Sequence, residues 1–208
     1  MNLSEPLDGL TTVVEAAVLR VLARTDVGFS GRQVHGVASV GSTSSVHRAL
    51  TGFVNLGLVS AEPRPPSIVY RINRQHALWP VIELALTARN RVIDSIREFC
   101  ANDFPRSLDV SVVLYGSVAR RDSTRDSDVD LFAVYPDDVD EDSVIDFNFH
   151  LRAQIEQLTG NRAQIVSMSR TYIAERVDGG DPLVTNVLAD GILLHGRSLM
   201  PTQRARAS

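Results

Sequence analysis

The seventeen residues Tyr115-Gly116-Ser117-Val118-Ala119-Arg120-Arg121-Asp122-Ser123-Thr124-Arg125-Asp126-Ser127-Asp128-Val129-Asp130-Leu131 constrain this chain more than any other stretch. The apolar run Val110 to Leu114 leads into Gly116-Ser117, and a second apolar run follows Asp130. The pattern predicts a strand, a Gly-Ser turn that opens a short helix, then a strand that begins with two carboxylates. Asp128 and Asp130 are two residues apart, so on a strand both side chains point to one face. Two carboxylates this close repel unless a cation lies between them. An all-oxygen pair suits Mg²⁺, which keeps waters and binds one or two carboxylates together with substrate phosphates.

The turn fits the same chemistry. Gly116 allows close backbone approach to a phosphate, and free N–H groups at a helix start attract anions. The alternative is that Asp128 caps a turn and Asp130 is a solvated strand end. The joint occurrence of Gly-Ser, the carboxylate spacing and the two apolar runs favours a phosphate cradle beside a metal-binding pair, which is what nucleotidyl transfer requires. With Gly116, Ser117, Ala119, Arg120, Ser127, Asp128, Asp130 and Leu131 in these places, the segment resembles the minimal nucleotidyltransferases of the polymerase-beta-like superfamily. Their signature is Gly-Ser-x-Ala-Arg-Gly, a spacer, then Ser-Asp-x-Asp-Leu. Arg121 stands where that signature has its second glycine.

The resemblance covers residues 105–197 and implies an α/β domain with a mixed sheet. It implies Asp128 and Asp130 as catalytic metal ligands, and Gly116, Ser117, Arg120 and Ser127 as nucleotide-binding residues. Mg²⁺ is the implied cofactor, an NTP such as ATP the substrate, and a hydroxyl on a small molecule, a protein (as in antitoxin-type members that modify a partner toxin) or RNA the acceptor. It also implies a third carboxylate on the strand Ala163 to Met168. No Asp or Glu occurs between Glu156 and Glu175, and Gln164 takes that place. Gln is a neutral, poor base and a weak Mg²⁺ ligand.

Ahead of this domain, Val14, Val18, Val21 and Leu22 mark an amphipathic helix over 11–24. Ser30 is the expected N-cap of a helix from Gly31 to Val37, with Val34 and Val37 inward. Ser42 to Leu56 reads as a third helix with Val46, Leu50, Phe53 and Val54 inward, stopped by Gly57. Leu58 to Ala61 and Ser67 to Ile72 read as strands around a Pro-rich tip, Glu62 to Pro66. Three helices and a hairpin resemble a winged helix-turn-helix. That resemblance implies double-stranded DNA as a partner, met by Thr43, Ser44, Ser45, His47 and Arg48 of the recognition helix and by Arg64 at the wing tip. The same module also serves as a protein–protein domain. Residues 1–75 carry 7 Arg and 5 acids, net +2, and the remainder is net −6, so the basic part is the one suited to DNA.

Residues 76–102 read as one connecting helix with Leu78, Ile82, Leu86, Ile93, Ile96 and Phe99 along it; its spacing is compatible with a homodimer but is too short for a coiled coil. Asp142 is the expected cap of a helix over 143–158, whose inward residues are Val144, Phe147, Leu151, Ile155 and Leu158. Short helices over 171–177 and 182–189 and a strand over 192–195 complete the domain. The expected architecture is α+β: a winged helix-turn-helix at 1–75, a connecting helix at 76–104, the nucleotidyltransferase domain at 105–197 and a flexible tail at 198–208. All 21 basic residues are Arg, and one cysteine, Cys100, rules out an internal disulfide. No leader or long apolar run is present, so a cytoplasmic protein away from membranes is expected. The alternative to an enzyme is a transcription regulator whose nucleotidyltransferase domain senses nucleotide without turnover.

Overall fold

A computed structural model describes residues 1–102 and 109–199. The expected boundary at 104/105 and the tail beyond residue 199 lie outside the described residues. The chain forms two compact units: Glu5–Ala88, and Met1–Ser4 together with the chain from Arg89 onward.

In the first unit a 3-10 turn, Pro6–Gly9, precedes helix α1 (Val13–Ala23), strand β1 (Phe29–Ser30), helices α2 (Gly31–Ala38) and α3 (Thr43–Asn55), strands β2 (Val59–Arg64) and β3 (Ser67–Ile72), and helix α4 (Trp79–Leu86). Thr12, Ser30 and Ser42 each cap a helix through a reciprocal capping box, which fixes where α1, α2 and α3 begin. The three strands pair antiparallel in the order β1-β3-β2. Pro63 lies inside β2, at the sheet edge where its missing N–H breaks no ladder. Val18, Leu22, Val34, Val46, Leu50, Val59 and Tyr70 form the core. Val37 is not inward as expected but exposed. The inward position one turn after Val34 is Ala38, the last residue of α2, which packs against that core instead.

The stretch 76–102 is two helices rather than one, α4 and then α5 (Ala88–Asn102). Thr87 sits at the break, where its hydroxyl donates to the carbonyls of Glu83 and Leu84, a local competitor for helical bonding. Ile82, Ala85 and Leu86 of α4 pack on Leu7, Leu19 and Leu58 of the first unit, whereas α5 belongs almost entirely to the second.

The second unit is built on β4 (Ser111–Tyr115), helix α6 (Gly116–Arg120), β5 (Val129–Tyr135), α7 (Glu141–Thr159), β6 (Ala163–Ser169), α8 (Arg170–Asp178), α9 (Pro182–Asp190) and β7 (Ile192–His195). Its sheet runs β6-β5-β4-β7. The β4–β5 and β4–β7 pairs are antiparallel and β5–β6 is parallel, with α7 as the crossover a parallel pair requires. One face carries α5 and α7, where Ile93, Ile96, Cys100, Leu114, Leu131, Phe147, Leu151 and Ile155 are buried with Leu3. The other carries Val113, Phe132 and Val134 against Ile173, Val184 and Val187. Burial on both faces explains why β4 and β5 read as continuous apolar runs. Asp140, not Asp142, caps α7, accepting from the Ser143 N–H at 2.8 Å. Leu158 is 40% exposed because the four-residue spacing of Phe147, Leu151 and Ile155 leads to Thr159 as the next inward position.

Candidate active site

The ends of β4 and β5 meet where the signature lies. Tyr115 pairs with Asp130 across the antiparallel ladder, and Asp130 is in register with Gln164 of the parallel neighbour. Alternation along β5 sends Val129 and Leu131 into the core beneath α5 and α7, and Asp130 to the other face with Phe132. Asp128, immediately before β5, shares that face. Gln164 donates a side-chain N–H to Asp128, so the strand position without a carboxylate supplies an amide that touches one member of the pair.

Gly116 has φ +70° and lies directly against Asp130. The positive φ favours glycine, and a Cβ built there would sit 2.3 Å from Asp130 Oδ2 and force the carboxylate to shift. The Asp130 carboxyl is pushed above its ordinary range, first by burial and then by the Asp128 charge, with Arg120 pulling the other way. Tyr115 stacks edge-on against Phe132 at 6.3 Å between centroids, and burial followed by the Asp130 charge pushes its phenol up.

The remaining signature residues divide. Ser117 lies in the first turn of α6, at its open N–H groups. Arg120 is exposed at the other end of α6 and donates to Asp122 at 3.1 Å. Arg121 ends the helix at φ +66°, a left-handed position that glycine fills without strain; this is the place where the resembled signature has its second glycine. The Ser127 hydroxyl closes a turn, accepting from the Thr124 N–H at 2.8 Å.

Two residues that the sequence did not single out brace the loop between α6 and Asp128. Asn161, buried after α7, donates to the carbonyls of Arg125 at 3.2 Å and Ser127 at 2.8 Å. Ser4 exchanges backbone-to-hydroxyl bonds with Ser123, at 3.1 and 3.0 Å. A polar residue after a helix and a serine near the start of a chain give no periodic signal.

In the other unit, Thr43, Ser44, His47 and Arg48 are exposed together near the start of α3. Ser45 is half-buried, and its hydroxyl donates to the Ser42 carbonyl at 2.8 Å, within the helix's own cap. Arg64, at the end of β2, pairs with Glu62 at 3.0 Å, and Glu62 also binds Arg71.

Residues 93–177 match the family model of the nucleotidyltransferase domain. Nucleotidyl transfer is the activity class that this segment carries. No curated protein matches the chain. Among solved structures, one described as the crystal structure of the toxin-antitoxin with AMP-PNP is 16% identical, with a TM-score of 0.35, over 51% of this chain and 74% of that one. In the nucleotidyltransferase unit, Asp128 and Asp130 are the residues whose oxygens fit a divalent cation. Their mutual repulsion and the tight seat of Asp130 beside Gly116 suit one. Among the described residues no third His, Cys, Asp or Glu joins them.

Proposed function

We propose that the protein is a Mg²⁺-dependent nucleotidyltransferase that moves a nucleoside monophosphate from an NTP to a hydroxyl acceptor, and that Glu5–Ala88 is a DNA-binding winged helix. The observation that carries the first part is the packing of Gly116 against Asp130, with Asp128 on the same face, inside the segment that matches the nucleotidyltransferase family. Asp128 and Asp130 would hold the Mg²⁺, which would supply charge neutralisation and orientation of the attacked phosphorus. Gly116 and Ser117 hold the triphosphate through backbone N–H groups at the start of α6, and Ser117 adds its hydroxyl. Arg120, close enough to lower the proton affinity of Asp130, offsets negative charge in the transition state.

The direct test is incubation with Mg²⁺ and labelled NTPs, scoring label on protein, RNA or small-molecule acceptors. Label that is lost in Asp128→Asn supports the reading; no label on any acceptor, or label that survives the substitution, refutes it.

Gln164 favours a second reading. A neutral amide bonded to Asp128 replaces a base and metal ligand, so the domain would bind nucleotide and signal to DNA without turnover. Calorimetry showing nucleotide binding without transfer, together with a gel shift whose affinity changes with nucleotide, would select it. The order of elements α1, α2, α3 and the β2–β3 hairpin, and the exposed Thr43, Ser44, His47 and Arg48, support the DNA-binding part.

A further inference from the structure

Helix α6 is five residues long, and its carbonyl end is held from outside the signature. A helix leaves its last carbonyls without intrahelical partners. Here the Ser117 carbonyl receives the N–H groups of Arg121 and Asp122. The next two carbonyls receive one side chain. Arg89 Nε donates to the Val118 oxygen at 3.2 Å, and Arg89 Nη2 donates to Val118 at 3.0 Å and to Ala119 at 3.3 Å.

Arg89 is the second residue of α5, precedes the family match at 93–177, and is only 8% exposed. Among the described residues it forms no ion pair with a carboxylate. Burying a charge without an opposite charge is unfavourable, and the compensation available here is the negative end of the α6 peptide dipoles. Simple packing would be met by an apolar side chain of the same length. Burial, and then the like charge of Arg121, push the guanidinium's proton affinity down, so the site bears this charge against two opposing effects.

We propose that Arg89 is a positioning residue for the nucleotide site: by clamping the carbonyl end of α6 it keeps Gly116 seated against Asp130. The inference rests on the reading of α6 and Asp130 as that site. The lever is short, since Val118 and Gly116 are separated by about 3 Å of helical rise. Gly116 also has no slack, because the space its missing Cβ would occupy is filled by the Asp130 carboxylate.

The test compares Arg89→Met, which removes charge and donors, Arg89→Lys, which keeps the charge and fewer donors, and Arg97→Met as a control. Arg97 is an exposed α5 residue paired with Asp94. Amide exchange across 116–122 is measured on each full-length protein without nucleotide, followed by steady-state transfer with Mg²⁺ and NTP. In Arg89→Met, exchange across 116–122 should rise at least tenfold. Its kcat should fall by about 10- to 100-fold while KM moves less than threefold, because misalignment of reacting groups is felt in the chemical step. Arg89→Lys should recover part of both, and Arg97→Met should match the wild type.

Unchanged exchange across 116–122 in Arg89→Met overturns the proposal, and so does a loss of kcat that Arg89→Lys does not partly restore. If Arg89→Met does not fold, the lysine variant decides: intermediate exchange and intermediate kcat support the clamp, and wild-type values for both overturn it. A wild-type protein that neither binds nor transfers nucleotide defeats the proposed function. The exchange measurement, which needs no nucleotide, still decides whether Arg89 holds α6.

Discussion

Asp130 sits where a cation suits it better than the folded protein alone does. Its carboxyl is raised by burial and by Asp128, so the folded chain holds that proton more tightly than the unfolded chain. Below the unfolded value both states are protonated and the group has no effect. As pH climbs from there to the raised folded value, the unfolded state loses its proton first and stability falls; above it the penalty is complete. In a chelator at neutral pH, Asp130→Asn should therefore raise the melting temperature, and that gain should shrink as pH falls through the carboxylate range. The same substitution should abolish transfer. A melting temperature that drops at neutral pH would mean that the carboxylate is structurally required rather than strained. Gly116→Ala tests the other half of the contact. The left-handed backbone adds about 1–2 kcal/mol of strain to any residue with a Cβ. The new methyl also displaces the Asp130 carboxylate, so transfer should fall on the order of a hundredfold in kinetic assays.

At the scale of elements, the most consequential segment is the first four residues, which carry no pattern of their own and group with the chain from Arg89 onward. Leu3 is 1% exposed in the core formed with Val92, Ile93, Leu114 and Phe147, and Ser4 locks onto Ser123. The chain thus contributes a strap to the nucleotidyltransferase unit before it forms the helices of the other unit. Leu3→Ala should destabilise the nucleotidyltransferase unit by about 2–5 kcal/mol, the usual range for a buried Leu. Amide exchange should speed up in β4, β5 and α7 and stay unchanged in α1 to α3; acceleration confined to α1 to α3 would refute the assignment. A lone leucine has no periodicity, which is why the strap is invisible in the sequence. Arg89 and the break at Thr87 are hidden for a related reason: inside a helical pattern, a charged or hydroxyl residue looks like solvent-facing surface. What could be read is what repeats or alternates. Val46 with Leu50, the apolar β4 and β5, and the face shared by Asp128 and Asp130 follow from periods of 3.6 and 2, and the cap Ser30 follows from its side-chain chemistry ahead of a helical pattern. Gln164 could be placed only through the family resemblance, which implies a carboxylate on that strand; its register opposite Asp130 comes from the structure. Cys100 is buried in the α5 core, and burial pushes its thiol up to about 12. The native protein should therefore resist thiol alkylation at neutral pH and react only on unfolding.

For the molecule as a whole, the division of charge makes a separable prediction. Glu5–Ala88 carries 7 Arg and 6 acids, net +1, whereas the rest of the chain carries 14 Arg and 19 acids, net −5. Any affinity for the DNA polyanion should therefore reside in Glu5–Ala88, and the nucleotidyltransferase unit should bind its triphosphate only through local groups and metal, because its net charge repels anions. On α3, Arg48 and His47 are exposed and make no ion pair within the described residues. If Arg48 meets a phosphate, Arg48→Ala should lower DNA affinity and reduce the slope of log affinity against log salt by about one. Transfer from NTP should be unaffected, whereas Asp128→Asn should abolish transfer and leave the salt slope intact. Binding isotherms at several salt concentrations, run beside a transfer assay, read both arms. A slope unchanged by Arg48→Ala would remove α3 from the nucleic-acid surface. A slope changed by Asp128→Asn would mean that the acidic unit itself meets the DNA, where one fewer repelling carboxylate would strengthen binding. The arms have opposite signs because a lost arginine weakens attraction and a lost aspartate relieves repulsion, so a single salt series distinguishes the two placements of DNA on this chain.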